Sequence, residues 1–373
     1  MTPAEQTMPS AETDARSGER TLLPGQSPQG EYILSVLVKR TFDLVHGRES
    51  TRAKEDEPLN AGEVFWDHPM NSSVRYESDF VPYKVGTDVV LNGTAYAPGG
   101  GPTESCTVAL QVEQRRKVLF VIGDRQARHT GAAPGFTDPA AFATMPLRYE
   151  RAYGGIDVYS DLRVPYPFPR NPLGRGFVVA NTAAALAKLS LPNIEDPAAL
   201  VTPDSLCVGE YSQWEARPYP AGFGWYQKTW LPRASLAGVM PRDRAVEQEL
   251  RRAYAELIPA EQREAYLTNG FRDMDFRFFN GASPGLAFPY LKGGEVIVTE
   301  NLTPEGRCDF RLPAESPRIG IDIGDGFLEP DVVLQTVMIR MDDAQVDLVW
   351  RASVPYRGPD WLPEMTKLDL QVA

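Results

Sequence analysis

The pentapeptide Gly281-Ala282-Ser283-Pro284-Gly285 has the G-x-S-x-G spacing of a hydrolase nucleophile elbow. That chemistry needs a strand before the serine, a helix after it, and the backbone N–H of the next residue as an oxyanion donor. Here the next residue is Pro284, which has no N–H. Leu286-Ala287-Phe288-Pro289 begins no helix, and all three histidines (His46, His68, His129) precede Ser283. The segment is expected to be a Pro-Gly turn. The histidines lie far apart and outside any His-Glu-x-x-His or Cys/His spacing, so no metal site is expected on them.

Carboxylates offer a second chemistry. Two of them at roughly 5–10 Å could hydrolyse a glycosidic bond, and Glu77, Asp79 and Glu150 sit beside aromatic residues that could stack on sugars. Asp273-Met274-Asp275 resembles a metal-holding acidic doublet, and Asp322 with Asp325 could reach a calcium ion without EF-hand spacing. Acidic residues alternating with Arg more often form structural ion pairs. No catalytic, cofactor or metal residue is therefore assigned.

Three blocks stand out for mixing aromatic rings, opposite charges and glycine. They are Glu77–Phe80, Met145–Gly155 and Asp275–Asn280. Within them Glu77, Asp79, Phe80, Arg148, Tyr149, Arg151, Tyr153, Arg277, Phe279 and Asn280 are the side chains to watch. Arg forks that bind carboxylates or carbonyls under aromatic rings can lock irregular loops. The same residue types are enriched at protein interfaces.

The elements that must position these blocks read as strands. Tyr32, Leu34, Val36, Val38, Phe42 and Leu44 recur at period two. Val89–Tyr96 is β-rich, and Val108–Val112 with Val118–Ile122 reads as a hairpin joined by the polar run Glu113–Arg116. Val296–Thr299, Phe310–Leu312 and Ile319–Ile323 follow the same pattern. Val332–Ile339 is apolar on both faces, so it belongs in the middle of a sheet, paired through Asp342-Asp343 with Val346–Trp350. A short helix is expected near Thr182–Leu189. A longer one is expected over 243–258, capped by Asp243 and ended by Pro259, with a short second helix through Tyr266.

The chain has 373 residues with 33 Pro and 31 Gly, too many breakers for a helical bundle, while 42% apolar residues supply a core. The fold expected is mainly β: antiparallel sheets in a sandwich or partly closed barrel, with long ordered loops and a few short helices. Strands from both ends should share one core. Residues 1–30 read as a disordered tail and 31–373 as one domain, with possible sub-divisions near 160 and 290. A net charge of -12 disfavours nucleic acid and anionic membranes as partners. No transmembrane run or signal peptide is visible, and three sparse cysteines favour a reducing compartment, so a cytoplasmic location is expected.

In their order along the chain, these blocks resemble an uncharacterised accessory family of type VI secretion clusters, encoded beside PAAR-like spike-tip proteins and toxic effectors. The matching stretches are Val38–Leu44, Glu77–Gly100, Gly123-Asp124-Arg125, Met145–Gly155, Asn171–Phe177, Leu191–Glu195, Pro220–Gly224, Asp275–Ala282 and Leu348–Arg351. They add Asn171 and Phe223 to the residues of interest. The resemblance spans about residues 32–355. It implies a non-enzymatic adaptor or chaperone that holds an effector, or its PAAR-like carrier, for loading onto the spike. It implies a protein partner, no cofactor and no catalytic residue. A carbohydrate-active enzyme using the carboxylates above, or a structural part of the spike, are the alternatives.

Overall fold

The computed structural model describes residues 19–372, apart from 29, 131–132, 162, 181, 188, 207–209, 239–274, 323–326 and 357–368. The helices expected over 243–258 and near 266–270 lie outside the described residues, as do Asp273, Asp325 and residues 1–18.

Twelve strands position the site. They are β1 (Glu19–Gln26), β2 (Tyr32–Asp43), β3 (Thr87–Asn92), β4 (Thr94–Tyr96), β5 (Ser105–Val112), β6 (Arg115–Ile122), β7 (Ile194–Glu195), β8 (Ala287–Phe288), β9 (Val296–Glu300), β10 (Arg307–Arg311), β11 (Val332–Arg340) and β12 (Gln345–Pro355). The larger sheet runs β1-β2-β12-β11-β3-β8, with the short strand Thr51–Arg52 also on β2. The second sheet runs β7-β6-β5-β9-β10. Both orders are open paths, so neither sheet closes into a barrel. All pairings in them are antiparallel except β11 with β3.

The two sheets share one apolar core. Val89 and Leu91 of β3, Val337 and Ile339 of β11, and Leu348 and Trp350 of β12 enter the same cluster as Val108 and Leu110 of β5, Leu119 of β6, Ile297 of β9 and Phe310 of β10. Each such side chain contributes about 1.5–3 kcal/mol of burial. Strands from both ends of the chain thus stand side by side in both layers. β11 is central, between β12 and β3, as its two-sided apolarity requires.

Three differences from the sequence expectations have physical reasons. β2 alternates at period two, yet both its faces are covered: Leu34, Val36 and Val38 meet Ile319 and Ile321, while Leu37 meets Leu59 and Val349. A covering layer on the second face relieves the need for polar residues there. β1 falls within the stretch expected to be a tail. It pairs with β2 from Glu19↔Lys39 to Gln26↔Tyr32, and Leu22 and Leu23 pack on β2's two sides. Backbone pairing to an existing edge compensates for its polar composition. Val89–Tyr96, one stretch in the sequence, divides at Gly93 into β3 and β4, which belong to different sheets.

The hairpin β5–β6 turns at Glu113-Gln114, with Glu113 at φ 52°. The turn between β11 and β12 uses Met341–Asp343 followed by Ala344 at φ 52°. The one-turn helix α1 (Ala183–Leu186) is capped by Thr182, whose Oγ1 accepts from the Ala185 N–H at 3.2 Å.

Candidate functional site

Glu77 and Asp79 leave β-structure side by side and turn inward, 3% and 6% exposed. Burial obliges each to find a cation. Glu77 meets the Arg233 guanidinium in a two-pronged pair, one prong at 2.9 Å. Asp79 accepts from Lys39 Nζ at 3.1 Å and from the Asn60 N–H at 2.8 Å. The space they border is about 10 Å³, room for one water at most. Glu150 accepts from the Ser73 N–H at 2.6 Å and from its hydroxyl at 2.8 Å. The carboxylates weighed as an alternative sugar-cleaving pair are engaged in fixing loops, and among the described residues the space that Glu77 and Asp79 border is too small for a sugar. Phe80 packs beside Leu37 and Val349.

The block Asp275–Ala282 docks on Asp88, which is fully buried on β3. Asp88 Oδ2 accepts from Lys84 Nζ at 2.7 Å and the Gly281 N–H at 3.0 Å. Its Oδ1 accepts from Asn280 Nδ2 at 3.1 Å and the Ala282 N–H at 3.3 Å. Asn280 also donates to the Gly86 carbonyl and accepts from the Val85 N–H. A Cβ on Gly281 would lie 2.5 Å from Arg233 Nη1 and 2.7 Å from Glu77 Oε2, so glycine is required by the close approach. Arg277 pairs with Asp275 two residues earlier. Neither Asp88 nor Lys84 was singled out in the sequence, although Asp88 directly before the apolar run Val89–Leu91 was a usable signal.

The block Met145–Gly155 builds an aromatic centre. Tyr149 meets Tyr226 and Trp230 edge to face at 5.9 and 5.2 Å, and burial pushes its phenol well above the ordinary value. Tyr153 meets Phe168 at 5.2 Å. Asn171, fully buried, donates to the carbonyls of Tyr149 and Tyr153 at 2.8 and 3.1 Å, tying the block's turn together. Phe223 lies in the main core. Arg148 stacks over Trp66 at 4.0 Å. Arg151 donates to Asn193 Oδ1 at 3.1 Å.

Ser283 forms the turn that its sequence implies. The Leu286 N–H donates to the Ser283 carbonyl at 2.9 Å and Gly285 stands at φ 88°, the pattern of a type II turn. The hydroxyl is buried and accepts from Lys117 Nζ at 2.6 Å; the same ammonium donates to the Pro284 carbonyl at 2.8 Å. Burial pulls Lys117 down to about 7, opposed by Asp196.

Two larger concavities lie on the surface of the described residues. One, about 340 Å³, lies where β1 and the starts of β2 and the Phe276–Phe279 turn meet, and it is lined by Pro24, Tyr32, Pro82, Phe276, Phe279 and Tyr356. Tyr32 is 40% exposed and meets Tyr356 edge to face at 5.7 Å. β1 pairs only with β2 among the described residues, leaving an edge beside this groove. The other, about 330 Å³, is polar and centres on Asp124, Arg125 and Arg175. Of the residues singled out in the sequence, only Phe279 lines the apolar groove. The others sit behind it or away from it.

Among the described residues no group of three or more His, Cys, Asp or Glu could hold a metal ion, and no helix is long and apolar enough to cross a membrane. No curated protein and no solved structure matches the chain. Residues 29–351 match the family described as "Uncharacterized protein conserved in bacteria (DUF2169)", and the chain belongs to it.

Proposed function

We propose, with membership of this bacterial family as the premise, that the chain is a non-enzymatic adaptor. It binds a type VI secretion effector, or the PAAR-like carrier of one, in the cytoplasm before loading onto the spike. The ordered series of motif blocks supports the secretion context through its resemblance. The observation that carries the binding role is the apolar groove beside the edge of β1. Tyr32, Tyr356 and Phe279 supply aromatic anchors of the kind enriched at interface centres. The edge of β1 that pairs with no strand among the described residues could accept a partner strand through backbone hydrogen bonds. The motif residues then act one layer down, holding the groove's walls in shape through Glu77–Arg233 and Asp88–Asn280.

The test is co-purification of the tagged full chain with each product of its neighbouring genes. A stable complex with an effector or carrier is expected, and Tyr32→Ala should weaken it about tenfold or more, the loss of one aromatic anchor. Absence of a complex with any neighbour would overturn the adaptor reading. Recovery of the chain in the secreted fraction would instead make it a part of the spike.

A further inference from the structure

The polar concavity, about 330 Å³, is lined by Asp124, Arg125, Gln126, Thr137, Arg175 and Ser190. Two guanidiniums, those of Arg125 and Arg175, line it, and a third, that of Arg151, stands beside it next to Asp124. Arg125 pairs with the buried Glu195 and lies over the Phe136 ring at 5.2 Å; its Nε is buried with no hydrogen-bond partner among the described residues. Arg151 and Arg175, each with a side chain 30% exposed, donate to the same oxygen, Asn193 Oδ1, at 3.1 and 3.2 Å. Arg175 also spends its Nε on the Glu150 carbonyl at 3.1 Å.

Two cations sharing one amide oxygen repel each other. Arg175 is accordingly pulled below its ordinary value, first by burial and next by Arg151, with Asp124 and Glu150 opposing. The carboxylate between them is Asp124. Its Oδ1 stands 3.7 Å from an Nη1 of each arginine, within ion-pair range but too far for a hydrogen bond. Asn193 Nδ2 holds that oxygen at 3.0 Å, and the side chain is 70% exposed. The arginine forks therefore keep donors that this carboxylate does not use. Close by, the Gln126 carboxamide and the Ser190 hydroxyl make no hydrogen bond among the described residues.

We infer that this pocket is a carboxylate-binding site in which a ligand carboxylate replaces Asp124 between Arg151 and Arg175. Asp124 is a loosely held internal stand-in, and a free carboxylate can approach to the 2.7–2.9 Å of a charge-assisted bond. Gln126 and Ser190 would read the ligand's neighbouring polar groups. A phosphate dianion is disfavoured because it concentrates two charges beside Asp124, where a carboxylate group places one. The carboxylate could belong to a small organic acid or to a peptide terminus. The inference does not depend on the adaptor reading, which is tested separately by co-purification.

The test is titration calorimetry of the full chain, at constant ionic strength, with succinate, with a short peptide ending in a free carboxylate, with the amide of that peptide, and with inorganic phosphate. Succinate or the free-acid peptide should bind, and Asp124→Asn should tighten binding about fivefold by removing the competitor. Asp124→Asn should also lower the melting temperature without ligand and regain it with ligand. Arg175→Gln should lose binding; Arg151→Gln serves if that variant fails to fold. Response to succinate alone identifies a small acid, and preference for the free-acid peptide over its amide identifies a polypeptide end. Binding unchanged or weakened in Asp124→Asn, a stronger response to phosphate than to either carboxylate, or no response to any probe would overturn the site.

Discussion

A carboxylate with no exposed atom must find its donors inside the protein, and Asp88 finds four. Removing it would strand the Lys84 ammonium, which is 2% exposed and otherwise touches the Thr336 hydroxyl and the Trp225 ring. Asp88→Ala should therefore cost about 3–5 kcal/mol in urea unfolding, and Lys84→Met in the same background should recover part of it. A loss under about 1 kcal/mol would mean that the block Asp275–Ala282 is not held by this residue. Lys117 makes a different prediction, because burial lowers it to about 7 from an ordinary 10.5. Between those values the unfolded chain binds the proton more tightly, so stability from this group rises with pH. Lys117→Met should be more stable than the parent at pH about 7, with the advantage shrinking towards pH about 10; a pH-independent difference would contradict it. Local chemistry of this kind was partly legible beforehand. The Pro284-Gly285 turn and the short helix near Thr182 depend on adjacent residues alone. The partners Glu77–Arg233 and Asp79–Lys39 are 156 and 40 residues apart, and no spacing rule connects them.

At the scale of elements, periodicity was informative where a strand has one neighbour layer or is fully buried. The hairpins β5–β6 and β11–β12 carry polar turns between apolar alternations, and both form where expected. β1 was illegible because its place is set chiefly by pairing with β2's backbone, with only Leu22 and Leu23 adding apolar contacts. The groove was equally illegible, since Pro24, Pro82, Phe279 and Tyr356 come from four distant stretches. The β11–β12 turn offers a test of its own geometry. Ala344 adopts φ 52° and ψ 43°, a left-handed conformation that costs a residue with a Cβ about 1–2 kcal/mol. Glycine avoids that cost but loses more chain entropy, so Ala344→Gly should stabilise by about 0.5–1 kcal/mol. A lower urea midpoint in the variant would show that the turn tolerates its strain through other contacts.

For the whole molecule, the parallel pairing of β3 with β11 and the seat of β9 beside β5 join early and late strands in each layer. Neither portion can complete a sheet by itself. Fragments 1–290 and 291–373, produced separately, should each lack the cooperative unfolding of the intact chain, and mixing them should restore part of it. A cooperative melt of either fragment alone would argue for independent halves. The abundance of Pro and Gly, read from composition as a sign of loops, takes a more definite form here. Gly281 lets Arg233 and Glu77 approach, and Gly154, at φ 149°, lets the Asn171 carbonyl come within 2.1 Å of where a Cβ would be.

The interlocking of the two chain ends also sets a schedule for synthesis. Thr41 of β2 donates its hydroxyl to Asp347 of β12, 306 residues later. At a translation rate of roughly 5–20 residues per second, β2 leaves the ribosome roughly 15–60 s before its partner strand exists. Throughout that interval Leu34, Val36 and Leu37 can meet β1 but lack the β12 side of their sheet. The larger sheet can therefore be completed only at the end of synthesis, when β11 and β12 have left the ribosome.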